Sequence, residues 1–292
     1  MSKPDPTAIR IHEDQAMFLE AVNFTAAQTG FSPRLIEKDY FCTLLLRYLA
    51  TTGVLVFKGG TCMAKVHAEF YRLSEDLDFA IPMPCDAMRA ERSRQVKKLK
   101  KIVAELATKL EGFTVVEPLT GANVSTQYVS VVGYDSLLSG QPEGIKIEIG
   151  LRELLLTPAF DGAARTALLD PVSGRPMVPP VALRCISRME AFAEKFRAAL
   201  SRREAAIRDF YDIDYAVRRL DLRPQDPALV ELVRQKLAMP GNEPADVSEA
   251  RLAALRRQLD AQLKPVLRDR DFAEFDLERA FRTVGQMAEK TR

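Results

Sequence analysis

Histidine, paired cysteines, net charge and long apolar runs are all scarce in this chain of 292 residues. His12 and His67 are its only histidines, which leaves a histidine-centred zinc site or a hydrolytic triad almost nothing to draw on. Cys42, Cys62, Cys85 and Cys185 are widely spaced with no paired ligand pattern, and most lie in apolar settings. They read as reduced core thiols, which fits the cytoplasm. Forty-two basic residues against 40 acidic ones leave a net charge of +2, so a polyanion would have to be held by a local patch. No uninterrupted apolar stretch approaches the roughly 18 residues of a membrane span. Met1 to Thr7 is polar and proline-containing, unlike a signal peptide, so neither secretion nor membrane insertion is expected. There is no internal repeat and no low-complexity tract. The length allows one large domain or two ordinary ones.

What is present is concentrated between Val54 and Phe79. The apolar run Val54 to Phe57 predicts a strand, Gly59-Gly60 a turn, and the following residues a short helix. A second strand then carries Asp76 and Asp78. Gly59 and Gly60 lack a Cβ and let backbone amides approach an anion, while Thr61 can cap the helix that starts there. With Leu77 between them on a strand, Asp76 and Asp78 project from one face. Two neighbouring carboxylates repel, and an oxygen-seeking cation such as Mg²⁺ relieves them.

Before this stretch, His12 to Gln28 predicts an amphipathic helix stopped by Gly30, and Ser32-Pro33 begins a second one running to Gly53. Glu37-Lys38-Asp39, near the start of the second helix, reads on physical grounds as a solvated first turn. After Pro82 and Pro84, Asp86 to Leu110 predicts one long helix bearing Arg89, Arg92, Arg94, Lys97, Lys98, Lys100 and Lys101. It is either a solvated face laced with Glu91 and Glu105 or a basic rail for RNA phosphates. Strands are expected at Phe113 to Val116, Thr126 to Gly133 and Ile145 to Ile149. Glu148 lies among apolar residues of the last, where an acid is costly unless paired or bound to a cation. Asp161 to Pro180 reads as a connector. The remainder is helical by pattern: Ile186, Met189, Ala193, Phe196 and Leu200 form one stripe with Lys195 beside it. Ser248 caps a helix carrying Leu252, Leu255, Leu259 and Leu263, and Phe272 to Met287 gives a last one.

Gly-Gly-Thr followed by Ser-Glu-Asp-Leu-Asp-Phe resembles the signature of the nucleotidyltransferase superfamily that includes DNA polymerase beta. The wording Phe57-Lys58-Gly59-Gly60-Thr61, then Arg72-Leu73-Ser74-Glu75-Asp76-Leu77-Asp78, resembles the AbiEii/AbiGii-like toxins of abortive-infection and type IV toxin-antitoxin systems. Glu37-Lys38-Asp39-Tyr40 is similar to a pattern of that family. So are Lys195 in its Glu-Lys setting and Arg208-Asp209 with Asp212. The resemblance spans Glu37 to Asp212 and leaves the last 80 or so residues without a recognised motif.

The resemblance implies an α+β fold: a polymerase-beta-like core of mixed sheet and flanking helices (54–170), preceded by packing helices (1–53) and followed by a helical C-terminal domain (181–292). It implies nucleotidyl transfer from a nucleoside triphosphate, with Mg²⁺ on Asp76, Asp78 and Glu148. Glu148 serves there either as a metal ligand or as a base. Lys58, Gly59, Gly60, Thr61 and Ser74 would grip the triphosphate and Lys195 would close over it. Asp209 would be the acidic partner, with Asp212 one helical turn on and not separable from it by sequence. The implied acceptor is RNA, in particular the 3′ end of tRNA, and the implied protein partner is a DNA-binding antitoxin encoded nearby. A small-molecule acceptor, or a non-catalytic nucleotide- or RNA-binding module on the same fold, are the competing expectations.

Overall fold

The computed structural model of the chain describes residues 9–292, so Met1 to Thr7 lies outside the described residues. Helix α1 (Gln15–Thr29) starts where the Asp14 side chain accepts from the Met17 amide, three residues later than the sequence predicts. It stops at Gly30, whose φ of 79° is the left-handed closure a glycine takes without strain. Helix α2 (Pro33–Ala50) begins on the expected cap, with Ser32 accepting from Leu35 and Pro33 in the first turn. Strand β1 (Val56–Lys58) runs into the single turn α3 (Gly59–Cys62), and the chain returns as β2 (Leu77–Ala80). The predicted long helix is α4 (Arg89–Ala104) and a short continuation α5 (Leu106–Lys109), broken at Glu105.

Strands β3 (Phe113–Ala122), β4 (Gln127–Asp135) and β5 (Pro142–Gly150) form an antiparallel run. Each outlasts its apolar stretch because ladder bonds continue through polar residues. β3 tolerates Pro118 because it is an edge strand with register shifts on both sides of Glu117. With β6 (Phe160–Ala164) and β7 (Val181–Cys185) these make one mixed seven-stranded sheet in the order β3-β4-β5-β2-β1-β7-β6. Ile145, Ile147 and Ile149 of β5 turn to the core, each burial contributing about 1.5–3 kcal/mol. The alternate positions, Lys146 and Glu148, are thereby forced to the other face.

Helices α6 (Arg188–Ser201), α7 (Ile207–Arg219), α8 (Pro227–Ala238), α9 (Glu249–Arg256), α10 (Asp269–Glu274) and α11 (Leu277–Thr291) close the chain. They share one continuous apolar core with the sheet. All four cysteines are free; Cys42, Cys62 and Cys185 are buried and Cys85 is exposed.

Three expectations are corrected. The 161–180 connector begins inside β6, and β7 pairs parallel with β1, so the sheet extends to Cys185 and the helical part starts at Arg188. Leu259 and Leu263 lie beyond α9 in a wide turn, and Phe272 belongs to α10, because the Asp276 side chain caps a fresh helix at Leu277. Glu37-Lys38-Asp39 is not solvated: all three are buried. Glu37 accepts from Ser136 Oγ (2.6 Å) and the Leu137 amide (2.7 Å), Lys38 meets Glu75 (3.2 Å), and Asp39 holds Lys65 at 2.6 Å. Each of these braces α2 against a segment far along the chain.

Candidate active site

Strand register brings the acids together. Asp78 pairs with Glu148 across β2 and β5, and with Lys58 across β1, so three charged groups stand in one row on one face. Facing them is α6, which starts where Ser187 accepts from the Glu190 amide and turns Glu194, Lys195 and Arg197 into the same space, with Arg202 just past its end. A cleft of about 490 Å³ separates the two walls. Lys58, Gly59, Gly60, Asp78, Glu148, Lys195 and Asp209 all line it.

The glycines carry a packing requirement. Gly59 has a φ of +73°, and a Cβ there would overlap the Asp78 carboxylate; one at Gly60 would lie 2.5 Å from the Arg72 guanidinium and 3.1 Å from Ser74 Oγ. Thr61 is buried and its hydroxyl donates to the Asp76 carbonyl, and Ser74 packs behind the turn. Neither lines the cleft. Asp76 stands one residue before β2, its carboxyl pushed up by burial against the opposing pull of Lys146, Arg208 and Lys38.

Burial and the neighbouring Glu148 push the Asp78 carboxyl up to about 6, with Lys58 opposing. Glu148 is joined by Lys146 at 2.8 Å on the same face of β5. Among the described residues no three His, Cys, Asp or Glu side chains already form a metal-holding cluster. The fit to a hard divalent ion rests instead on Asp78 and Glu148, an all-oxygen pair that stands side by side in register, with Asp76 two residues before Asp78.

The cleft lysines already have counterions. Lys58 is 2.7 Å from Glu194, whose carboxyl is held far below its usual range because Lys58 and Lys236 outweigh the effect of burial. Lys195 lies 2.8 Å from both Asp209 and Asp212. These two aspartates, inseparable in sequence, differ here. Asp209 lines the cleft and also meets Arg202 at 3.2 Å. Asp212 is buried beneath, accepting from Tyr71 Oη (2.6 Å) and from Arg72 Nε and Nη2 (2.6 and 2.9 Å). Arg152, Arg197, Arg202 and Asn242 also line the cleft and were not anticipated.

The family described as "Nucleotidyl transferase AbiEii toxin, Type IV TA system" matches residues 45–286. Among solved structures the chain is similar to a candidate nucleotidyltransferase from H. pylori, with 14% identity and a TM-score of 0.53 over 89% of this chain and 96% of that one. It is also similar to JHP933 from Helicobacter pylori, with 15% identity and a TM-score of 0.51 over 89% and 93%. At such identities the likeness shows a shared fold. No curated protein matches the sequence.

Proposed function

The chain belongs to the AbiEii family of type IV nucleotidyl transferase toxins, and from that premise we propose that it transfers a nucleoside monophosphate from a nucleoside triphosphate to the 3′ end of tRNA. The observation that carries this reading is the in-register pairing of Asp78 with Glu148 in the cleft lined by Lys195 and Gly59. Asp76, Asp78 and Glu148 would hold Mg²⁺, which when bound supplies positive charge to the phosphate oxygens of the transition state. The acceptor hydroxyl attacks the α-phosphorus, the bond to the bridging oxygen breaks, and pyrophosphate leaves. Glu148 either completes the ion site or takes the hydroxyl proton. Lys195, fixed by Asp209 and Asp212, orients the nucleotide from the helical wall, and Lys58, Gly59, Gly60, Thr61 and Ser74 shape the turn beside it. A DNA-binding antitoxin encoded nearby is the proposed protein partner and the cytoplasm the proposed compartment. No helix among the described residues is long and apolar enough to cross a membrane.

The test is direct. Purified protein with Mg²⁺, total RNA and each α-labelled nucleoside triphosphate in turn is expected to label the tRNA band, and periodate blocking of RNA 3′ ends to abolish the label. Unlabelled RNA with pyrophosphate released on adding small-molecule extract would transfer the reading to a small acceptor. Triphosphate binding without any pyrophosphate would reduce the protein to a binding module.

For the RNA we propose the outer face of α4. Arg89, Arg94, Lys97, Lys98, Lys100 and Lys101 are exposed there, and only Lys101 reaches an acid, Glu105 at 3.8 Å. Arg92 is excluded, being buried and donating to the Cys85 carbonyl at 2.8 Å. The helix packs beside Asn123–Ser125, and Asn123 lines the cleft, which puts α4 next to the wall of the site. Lys97→Glu, Lys98→Glu and Lys101→Glu together should raise KM for RNA at least about tenfold and flatten its salt dependence, since each phosphate contact adds about one unit of slope. KM for the triphosphate should not change. Equal salt slopes for variant and wild type would rule α4 out.

A further inference from the structure

Arg203 lines the cleft as an exposed side chain, and the cleft's other five cations fall into two groups. Lys58, Lys195 and Arg202 each lie within 2.7–3.2 Å of a carboxylate of the protein's own. Arg197 does not. Among the described residues it has no acid within ion-pair distance; its guanidinium donates once, to Asn242 Oδ1 at 3.1 Å, and its Nε is buried with no partner. Arg152 reaches only Glu153, at 4.0 Å, and Glu153 is shared with Lys236 at 3.5 Å.

These two guanidiniums approach from opposite walls, Arg152 just past the end of β5 and Arg197 on α6. Burial and the nearby Arg152 both weaken the hold of Arg197 on its proton. Like charges lining one partly desolvated cleft are costly, and an anion held between them removes that cost. A buried donor without an acceptor adds to it. The planar guanidinium fork matches the paired oxygens of a phosphate, and two forks suit a condensed phosphate carrying several charges.

We propose that Arg152 and Arg197 form the seat of the terminal phosphates of the triphosphate, and hold pyrophosphate after transfer. This rests on the nucleotidyl-transfer reading and refines it. The lysines implied by the family resemblance keep their carboxylate partners and set geometry, while the two arginines take the charge of the leaving group.

Calorimetric titration of the full chain with pyrophosphate and tripolyphosphate, in Mg²⁺, tests the seat without a choice of base. Arg197→Gln and Arg152→Gln are each expected to weaken both ligands at least tenfold. In steady-state assays they should raise KM for the triphosphate while leaving KM for RNA unchanged. Arg152 is half-exposed, so its variant folds even where that of Arg197 does not. Wild-type affinity in both variants overturns the seat, as does a rise in KM for RNA alone, which would assign the pair to the acceptor's phosphates. A wild type that binds pyrophosphate yet labels no acceptor leaves the seat standing and removes the transfer reading. A wild type that transfers nucleotide but whose variants bind normally does the reverse.

Discussion

Asp78→Asn is expected to cut nucleotidyl transfer at least about a thousandfold, the scale of removing a charge-stabilising group from a reacting centre, while making the metal-free protein more stable. The second half follows from the sign of the titration shift. Burial and Glu148 hold the Asp78 carboxyl at about 6 in the folded chain, above its ordinary value. The folded state therefore binds the proton more tightly than the unfolded one. The ionised carboxylate costs stability that builds as pH rises through the ordinary aspartate range and levels off above about 6. Partial exposure moderates the cost to about 1–2 kcal/mol. Asparagine removes it, so melting in chelator at pH 7 should rise by roughly 2–4 °C, and the gain should vanish towards pH 4. The same shift predicts that divalent-ion affinity of the wild type falls about tenfold per pH unit below 6, as proton and ion compete for Asp78. Full activity in the variant, or a lower melting point in chelator, would contradict the assignment.

Asp212→Ala should act on the fold, where Asp209→Asn acts on the site. Asp212 accepts from Tyr71, Arg72 and Lys195 with almost no solvent, and Arg72 is itself buried. Arg72 and Lys195 outweigh burial and hold the Asp212 carboxyl well below the usual range. Removing one member of a buried pair strands the other charge, at about 3–5 kcal/mol. Asp209 has the half-exposed Arg202 as its second partner, and Lys195 keeps Asp212 when Asp209 is neutralised. Asp209→Asn should therefore cost under about 1 kcal/mol. Urea midpoints of the two variants decide it, and equal midpoints would mean that the two aspartates share one role.

Local chemistry made part of this legible. Asp76 and Asp78 stood out by their spacing, and Glu148 by being an acid in an isoleucine alternation, a pattern only a half-buried strand produces. Caps at Ser32 and Ser248 fix helix starts by bonds three residues long. What was not legible depends on partners far away in the chain. Glu37 and Asp39 look like surface charges until Ser136, Leu137 and Lys65 are brought to them. β6 is built from Phe-Asp-Gly-Ala-Ala, which has no apolar alternation, and is a strand only because β7 offers it an edge. Asp209 and Asp212 share a helix face, and partners about 140 positions upstream, Tyr71 and Arg72, tell them apart. Arg197 was hidden because its neighbours Phe196 and Leu200 marked the helix as core.

The grip of Asp212 on Tyr71 and Arg72 also has a bearing on how the protein is made. The turn that carries Asp76 and Asp78 is fastened by a residue translated well over a hundred codons later, and the Leu73 amide waits for the Val266 carbonyl at 3.4 Å. A nascent polypeptide therefore holds Asp76, Asp78 and Glu148 long before it can fix them in place. Products released before Val266 should be inert, so activity would trail the translation of the acids themselves.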